Sequence, residues 1–289
     1  MFTATLLTAP QHALDPALVT SLRNAWGGGD LRWLAVGEAA EFPLPALPGN
    51  AEAVWADLQA QRVDLILQPA ENQRKRLLLA DMDSTMIQQE CIDELADVAG
   101  VGSHVAAITA RAMNGEIDFE AALTERVALL RDLPETVIVQ ALETRITLMP
   151  GGPALVATMK ANGAHTALVS GGFTAFTGPV AARLGFHEHH ANTLLAQDGR
   201  LTGSVAQPIL GRAAKVAALE GIAARLGITP DDVLAVGDGA NDLGMLGLAG
   251  TGVALHAKPV VQAQARHRVN FCDLTALLYL QGYAQADFA

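Results

Sequence analysis

The sequence predicts an α/β protein: a Rossmann-like parallel sheet with helices on both faces, a helical cap inserted after the first core strand, and a small N-terminal α+β domain. Three apolar runs carry this prediction, because each ends abruptly in polar residues of catalytic type. Leu77-Leu78-Leu79-Ala80 runs into Asp81, Ala167-Leu168-Val169 into Ser170-Gly171-Gly172, and Val233-Leu234-Ala235-Val236 into Gly237-Asp238-Gly239. Short, continuously apolar runs read as strands buried on both faces. The second observation is helical period between them: residues 213–226 place Val216, Leu219, Ile222, Ala223 and Leu226 on one face, and Gly227 stops the helix. Strands alternating with helices imply a parallel sheet, and such sheets bind ligands at the carboxyl ends of their strands. Asp81, Ser170 and Asp238 are therefore expected to meet in one crevice.

The interval from residue 86 to about 150 carries no comparable strand and reads as a helical cap over about 88–148. Its first helix is expected from about Ile87 to Ala99, stopping at Gly100. A second opens with Ser103 as N-cap and stops at Gly115. A third opens with Asp118 and buries Phe119, Leu123, Val127 and Leu130, and a fourth follows Pro134. Further on, Asp198-Gly199 is a hairpin turn signal. Residues 1–72 read as a separate domain, with strands near Ala4–Leu7, Leu31–Val36 and Val63–Leu67, helices near Pro16–Ala25 and Ala51–Gln61, and a loop at Pro45–Asn50. Residues 73–289 form the second domain, after the basic run Arg74-Lys75-Arg76.

Composition narrows the class. The 289 residues are 51% hydrophobic and 17% charged, as expected of a folded protein. A formal net charge of −11 argues against partners such as nucleic acid or anionic lipid. No Lys or Arg precedes the first apolar stretch, and no uncharged apolar run reaches the roughly 18 residues of a membrane span. The expectation is a cytoplasmic protein. The two cysteines, Cys91 and Cys272, have no metal or redox spacing and read as small buried hydrophobes.

Asp81-Met82-Asp83-Ser84-Thr85 is the most informative segment. Two carboxylates at i and i+2 past a buried strand can face one crevice, where one stays ionised as nucleophile and metal ligand while the other holds a proton as general acid. Acidic residues at a helix N-terminus explain the pair equally well when it is taken alone. The other strand ends weigh against that plain alternative. Gly237-Asp238-Gly239-Ala240-Asn241-Asp242 adds two carboxylates and an amide, an oxygen-rich set suited to Mg²⁺. Ser170-Gly171-Gly172 reads as opening a helix, with a hydroxyl and free N–H groups for an anion. Lys215, in the first turn of its helix, can neutralise a phosphoryl group, although a lone helical Lys is usually solvated surface.

Together DMDST, SGG, Lys215 and GDGAND resemble the haloacid dehalogenase superfamily of phosphohydrolases over roughly residues 74–289. The resemblance implies that Asp81 attacks phosphorus and becomes an aspartyl-phosphate. Asp83 would protonate the leaving alcohol and then deprotonate water. Asp81, the backbone carbonyl of Asp83 and Asp238 would hold Mg²⁺, Asn241 and Asp242 would order the site, and Lys215, Ser170 and the Gly171 amide would hold phosphate. Within the superfamily, IQQECIDELA and AMNGEIDFEAALTERVALL look like the phosphoserine phosphatases. That likeness implies hydrolysis of O-phospho-L-serine, the last step of serine biosynthesis. Glu90 would take the substrate ammonium, Arg126 the carboxylate, and Met113 and Phe119 would close an apolar lid. Without the motifs, these four are helix-surface charges and cap packing.

Other features carry less. His187, His189 and His190 are placed in a linker with no partner at zinc spacing. Gly27-Gly28-Gly29 reads as a turn, and no Walker-type run exists. The N-terminal order of strands and helices is similar to small amino-acid-binding regulatory domains, leaving serine binding, homodimer formation and simple packing open. Two competing functions stay open: a phosphotransferase passing phosphate to an amino-acid hydroxyl such as homoserine, which the same residues would serve, and a non-catalytic amino-acid-binding protein, against which intact Asp81, Asp83, Lys215 and Asp238 argue.

Overall fold

The chain opens with β1 (Phe2–Leu7), α1 (Pro16–Ala25), β2 (Arg32–Ala35), β3 (Ala39–Leu44), α2 (Ala51–Ala60) and β4 (Asp64–Pro69). A computed structural model describes residues 1–113 and 116–289, without the side chains of Ala112 and Met113. The N-terminal strands pair antiparallel in the order β2-β3-β1-β4, a β-α-β-β-α-β arrangement. Strand β3 is not among the expected strands; it contains Pro43, a residue that interior strands rarely hold. Pro43 lies past the part of β3 that pairs with β2, which reaches only to Glu41, so its missing N–H costs no bond on that side.

One face of this sheet buries Ala4, Leu6, Phe42 and Leu65 with Val19, Leu22 and Leu58 of the two helices. The other face lies on the C-terminal segment of the chain, where Leu7, Leu34, Ala39 and Ile66 share a core with Leu277, Leu278 and Tyr279. Polar contacts fix the docking. Asp64, fully buried, accepts backbone N–H bonds from Asn270, Phe271 and Cys272 at 2.8, 3.0 and 2.9 Å. Arg268 forks onto Glu52 at 3.0 and 2.9 Å and stacks over Trp55.

The remaining elements are β5 (Leu77–Ala80), α3 (Cys91–Val98), α4 (Gly102–Met113), α5 (Phe119–Ala128), α6 (Thr136–Thr144), α7 (Gly152–Ala161), β6 (His165–Phe173), α8 (Thr174–Leu184) and β7 (Glu188–Asn192). They continue with β8 (Leu194–Gln197), β9 (Arg200–Val205), α9 (Arg212–Leu226), β10 (Val233–Gly237), α10 (Leu243–Leu248), β11 (Thr251–Leu255), α11 (Pro259–Gln262), β12 (His267–Val269) and α12 (Ala276–Tyr279). Six strands pair parallel in the order β12-β11-β10-β5-β6-β7. Alternate residues feed opposite faces, as a strand's period of two requires. Leu78, Ala80, Leu168 and Val236 join one core and Leu77, Leu79, Val169 and Ala235 the other. This is the α/β fold the sequence predicts. The order β10-β5-β6 sets the three polar strand ends side by side, with Asp81 in the middle.

Four expectations need correction. Ser103 is not an N-cap, because α4 already begins at Gly102. Ser170-Gly171-Gly172 does not open a helix. It is the end of β6, and α8 begins at Thr174; an irregularity in register between Val169 and Phe173 marks the turn. The first cap helix starts at Cys91, not near Ile87. Ile87 instead bridges Leu148, while Gln88 N donates to Thr147 O and Met149 N to Met86 O at 3.0 and 2.9 Å, so an extended two-stranded hinge joins cap to core. His189 and His190 lie within β7, an edge strand rather than a linker. Glu188 pairs there with His165, His190 and Arg225.

The β8–β9 hairpin turns at Asp198 and Gly199, both at positive φ (52° and 75°), as a two-residue turn of this hand requires. It braces the cap: Asp132 N donates to Leu201 O and Glu135 N to Gly199 O. Among the described residues, no helix is long and apolar enough to cross a membrane. The Gly115 helix stop and the Met113 side chain lie outside what is described.

Candidate active site

Asp81 follows β5 directly, and its N–H donates to Val236 O of the neighbouring strand at 3.0 Å. Lys215 projects from the first turn of α9, only 2% exposed. Its Nζ lies 2.7 Å from Asp81 Oδ1 and 2.5 Å from Asp242 Oδ1. The contact with Asp242 is a hydrogen bond. The contact with Asp81 is a close buried ion pair, less well aligned than the one with Asp242. Asp238, at the end of β10, accepts from Thr85 Oγ1 at 3.2 Å.

Asp81, Asp238 and Asp242 each present a carboxylate oxygen, all within 4.8 Å of one another. Both oxygens of Asp242 are already engaged, Oδ1 by Lys215 and Oδ2 by Gly239 N–H at 3.0 Å. Asp81 and Asp238 are freer to ligate. Burial is the main force on these groups. It pushes Asp81 well above the usual carboxylate range, with Asp242 adding to the rise and Lys215 pulling back. Burial, then Asp242 and Glu90, push Asp238 up to about 7 against Thr85 and Lys215. Burial alone would lower Lys215, but Asp81 and Asp242 reverse this and raise it. A largely buried all-oxygen set of three converging carboxylates fits a hard divalent cation, which favours the ionised carboxylates.

Asp83 is turned elsewhere. Its Oδ1 accepts from Cys91 N–H at 2.9 Å and its Oδ2 from Ser170 Oγ at 3.3 Å. Burial and Glu90 push it up to about 6 despite those bonds. The close approach requires glycine at 172, where a Cβ would lie 2.6 Å from Asp83 Oδ2. Ser170 Oγ also accepts from Gly172 N–H at 2.8 Å. Asn192 holds the turn, its Nδ2 donating to Gly171 O at 2.9 Å and its Oδ1 accepting from Leu210 N–H at 2.7 Å.

These groups open onto a cleft of about 700 Å³ between core and cap. Asp81, Asp83, Ser170, Gly171, Asp238 and Asn241 line its floor, and Glu90, Phe119 and Arg126 its cap side. Lys215 lies beneath, lining a smaller adjoining cavity of about 420 Å³ together with Ser170. Glu90, at the N-cap of α3, accepts from Ser84 Oγ at 2.7 Å. Arg126 donates through Nε to Ala122 O at 3.2 Å, and among the described residues no carboxylate lies within ion-pair distance of it. Burial works against its charge, while Asp93, Glu90 and Asp83 support it. Phe119 spans the opening, its ring 3.0 Å from where a Gly171 Cβ would stand.

Every expected site residue with a described side chain thus lies in the cleft or directly beneath it. Arg212 and Lys258, which also line the cleft, carry no motif signal. Nor does Asn192, whose partners are remote in sequence. The anchoring of Lys215 by Asp242 was legible only as the last residue of GDGAND.

A parallel sheet with a capped strand-end cleft, a Lys-paired aspartate and an oxygen-rich acidic cluster define a class, and comparison with known proteins agrees. Residues 78–247 match the family of haloacid dehalogenase-like hydrolases, and the chain belongs to that family. It is 47% identical over 204 residues to the phosphoserine phosphatase of Haemophilus influenzae, covering 71% of this chain and 65% of that one. The chain thus spans less than two thirds of that relative's length. A haloacid dehalogenase family hydrolase from Salmonella enterica serovar Typhi superposes with a TM-score of 0.87 at 34% identity, covering 97% of this chain and 98% of that one. A phospho-aspartyl intermediate analogue of phosphoserine phosphatase superposes with a TM-score of 0.67 at 41% identity, covering 71% and 98%.

Proposed function

We propose that this protein is a phosphoserine phosphatase, hydrolysing O-phospho-L-serine to L-serine and phosphate through an aspartyl-phosphate on Asp81. The observation that carries the reading is that Asp81 shares one cleft with Glu90 and Arg126. A nucleophilic carboxylate and an ion-pairing set for a zwitterion's two charges stand within reach of one small molecule.

The roles follow from the contacts. Lys215 favours the ionised form of Asp81 and places positive charge beside the transferring phosphoryl group. An Asp81 oxygen attacks phosphorus as the ester bond to the serine oxygen breaks. Asp83, fixed by Cys91 and Ser170 and raised to about 6, suits a group that gives a proton to the leaving alkoxide and later takes one from water. Ser170, the Gly171 amide and Asn241 hold phosphate oxygens. Glu90 takes the ammonium and Arg126 the carboxylate, with Phe119 forming the lid. Asp81, Asp238 and the backbone carbonyl of Asp83 would hold Mg²⁺, which supplies charge neutralisation at the phosphate when bound. We assign residues 1–72 to a small α+β domain of the amino-acid-binding regulatory type, 73–289 to the catalytic domain with its cap at about 88–148, and the cytoplasm as compartment.

The test is phosphate release from phosphoserine, phosphothreonine and phosphoglycolate side by side, with Mg²⁺ and with chelator. Phosphoserine should be preferred, chelation should abolish turnover, and Asp81→Asn should be inactive. Full activity in Asp81→Asn would sink the covalent mechanism, and indifference among the three esters would sink the substrate. Transfer to homoserine is read in the same assay as phosphohomoserine formed.

A further inference from the structure

The cleft contains a hydroxyl that the roles above leave unused. Thr109, in the interior of α4, lines the cleft alongside Arg126, Ile92, Ile117 and Ala122. Its Oγ1 is buried and has no hydrogen-bond partner among the described residues. That is unusual in its own surroundings. A threonine inside a helix normally turns its hydroxyl back to the carbonyl four residues earlier. Thr20, Thr124 and Thr144 all do so, bonding Pro16 O, Glu120 O and Gln140 O at 2.7, 2.8 and 2.7 Å. Thr109 forgoes the bond to Val105 O. A buried hydroxyl without a partner is costly, and natural proteins rarely leave one so.

Its position says what it is aimed at. On the outer side of the cap, Arg111 of α4 pairs with Glu125 of α5 at 2.6 Å, which sets those two helices level with each other. Thr109 precedes Arg111 by two residues and Arg126 follows Glu125 directly, and both line the cleft. Among the described residues the guanidinium of Arg126 bonds only through Nε, leaving its outer nitrogens for a planar anion.

We infer that Thr109 is a further substrate-positioning residue: its hydroxyl donates to the carboxylate of the amino-acid phosphate that Arg126 binds. This rests on the phosphoserine reading above. Arg126 supplies charge and a planar fork. Thr109 supplies a directed donor that fixes the rotation of the carboxylate, and so the reach of the phosphate to Asp81. Ligands that lack a carboxylate gain nothing from it.

Thr109→Val keeps shape and removes the hydroxyl, and Thr109→Ser keeps the hydroxyl. Steady-state kinetics on phosphoserine and on an aryl phosphate separate the outcomes. Thr109→Val should raise KM for phosphoserine about three- to tenfold, the worth of one such hydrogen bond, with kcat changed less than KM. The rise for the aryl ester should be much smaller, and Thr109→Ser should stay within about twofold of the parent on phosphoserine, as a hydroxyl-specific effect requires. Equal losses on both esters would overturn the inference as a packing defect, and so would an unchanged KM for phosphoserine. A parent enzyme active on the aryl ester but inert to phosphoserine would strike down the substrate reading itself, and this inference with it.

Discussion

Lys215→Met tests the centre of the site, because one side chain there carries a structural and a chemical load that can be read separately. Lys215 is buried between Asp81 and Asp242, at 2.7 and 2.5 Å. The two carboxylates raise its pKa despite burial, so at neutral pH it is fully charged and its stabilisation is fully present. Methionine retains the length and most of the volume, so little cavity is created. What is lost is the partner of two buried carboxylates, and breaking a buried pair costs about 3–5 kcal/mol. For a chain of this size each kcal/mol moves Tm by roughly 2–4 °C, which predicts a fall on the order of 10 °C in chelator. Mg²⁺ should restore more of that loss than it adds to the parent, because the freed carboxylates gain a counter-charge. Turnover should fall about 10²- to 10³-fold even where Tm has been restored, as removal of one preorganised charge at a reacting group typically does. Thermal melts with and without Mg²⁺ read the first effect, and kcat at saturating metal reads the second. A variant within about 2 °C and threefold of the parent, far short of those losses, would refute both the buried pairing and the phosphoryl role.

Other perturbations test neighbouring parts. Gly172→Ala would set a Cβ 2.6 Å from Asp83 Oδ2; kcat should drop at least about tenfold by misplacing the proton donor, and an unchanged rate would argue against that placement. Asp64→Ala strips three backbone N–H groups of their acceptor. At about 1–3 kcal/mol per unpaired group, eased by entering water, about 3 kcal/mol should be lost. Hydrogen exchange at residues 270–272 should quicken, and unchanged protection there would show that the clamp is idle. Asp238 is raised to about 7 and Asp83 to about 6. An acid whose folded pKa is raised makes the folded state bind more protons than the unfolded one, so stability falls as pH rises through the window from about 4 to 7. In chelator, Tm should therefore decline across that window, and the Mg²⁺-induced rise in Tm should be larger at pH 8 than at pH 5. A rise independent of pH would sever the link between these carboxylates and the metal.

Much of this arrangement was legible because parallel strands buried on both faces leave a plain trace: LLLA, ALV and VLAV are uninterrupted, and each stops where chemistry begins. Adjacency of the three strand ends follows from sheet order, which the runs do not encode; β10-β5-β6 appears only when they pair. Strand β3 contains Pro43, and a local rule about proline cannot know where the neighbouring strand ends. The SGG turn was misread as a helix start because glycines after a strand look the same in both cases. The bonds from Asn192 to Gly171 and Leu210 show why it is a strand end. Docking of the N-terminal sheet was illegible for a similar reason: Asp64 looks like an ordinary strand-edge acid until its three partners, more than two hundred residues away, are in place.

The carboxylate pair at 81 and 83 shows how a local ambiguity is resolved by what surrounds it. In a continuing strand, residues i and i+2 would point the same way and their charges would repel. The chain does not continue. Thr85 N and Met86 N turn back to Met82 O at 3.2 and 2.9 Å, and Ser84 is held at a φ of 52°, a region costly for a residue with a side chain. The turn sends Asp81 toward Lys215 and Asp83 toward Cys91 and Ser170, so each carboxylate gains its own partners. Ser84 returns something for its strain, because the same turn lets its hydroxyl reach Glu90 at 2.7 Å. Glycine would relax that backbone and lose the bond. Serine at 84 therefore ties the separation of the two catalytic carboxylates to the placement of the group proposed to take the substrate's ammonium.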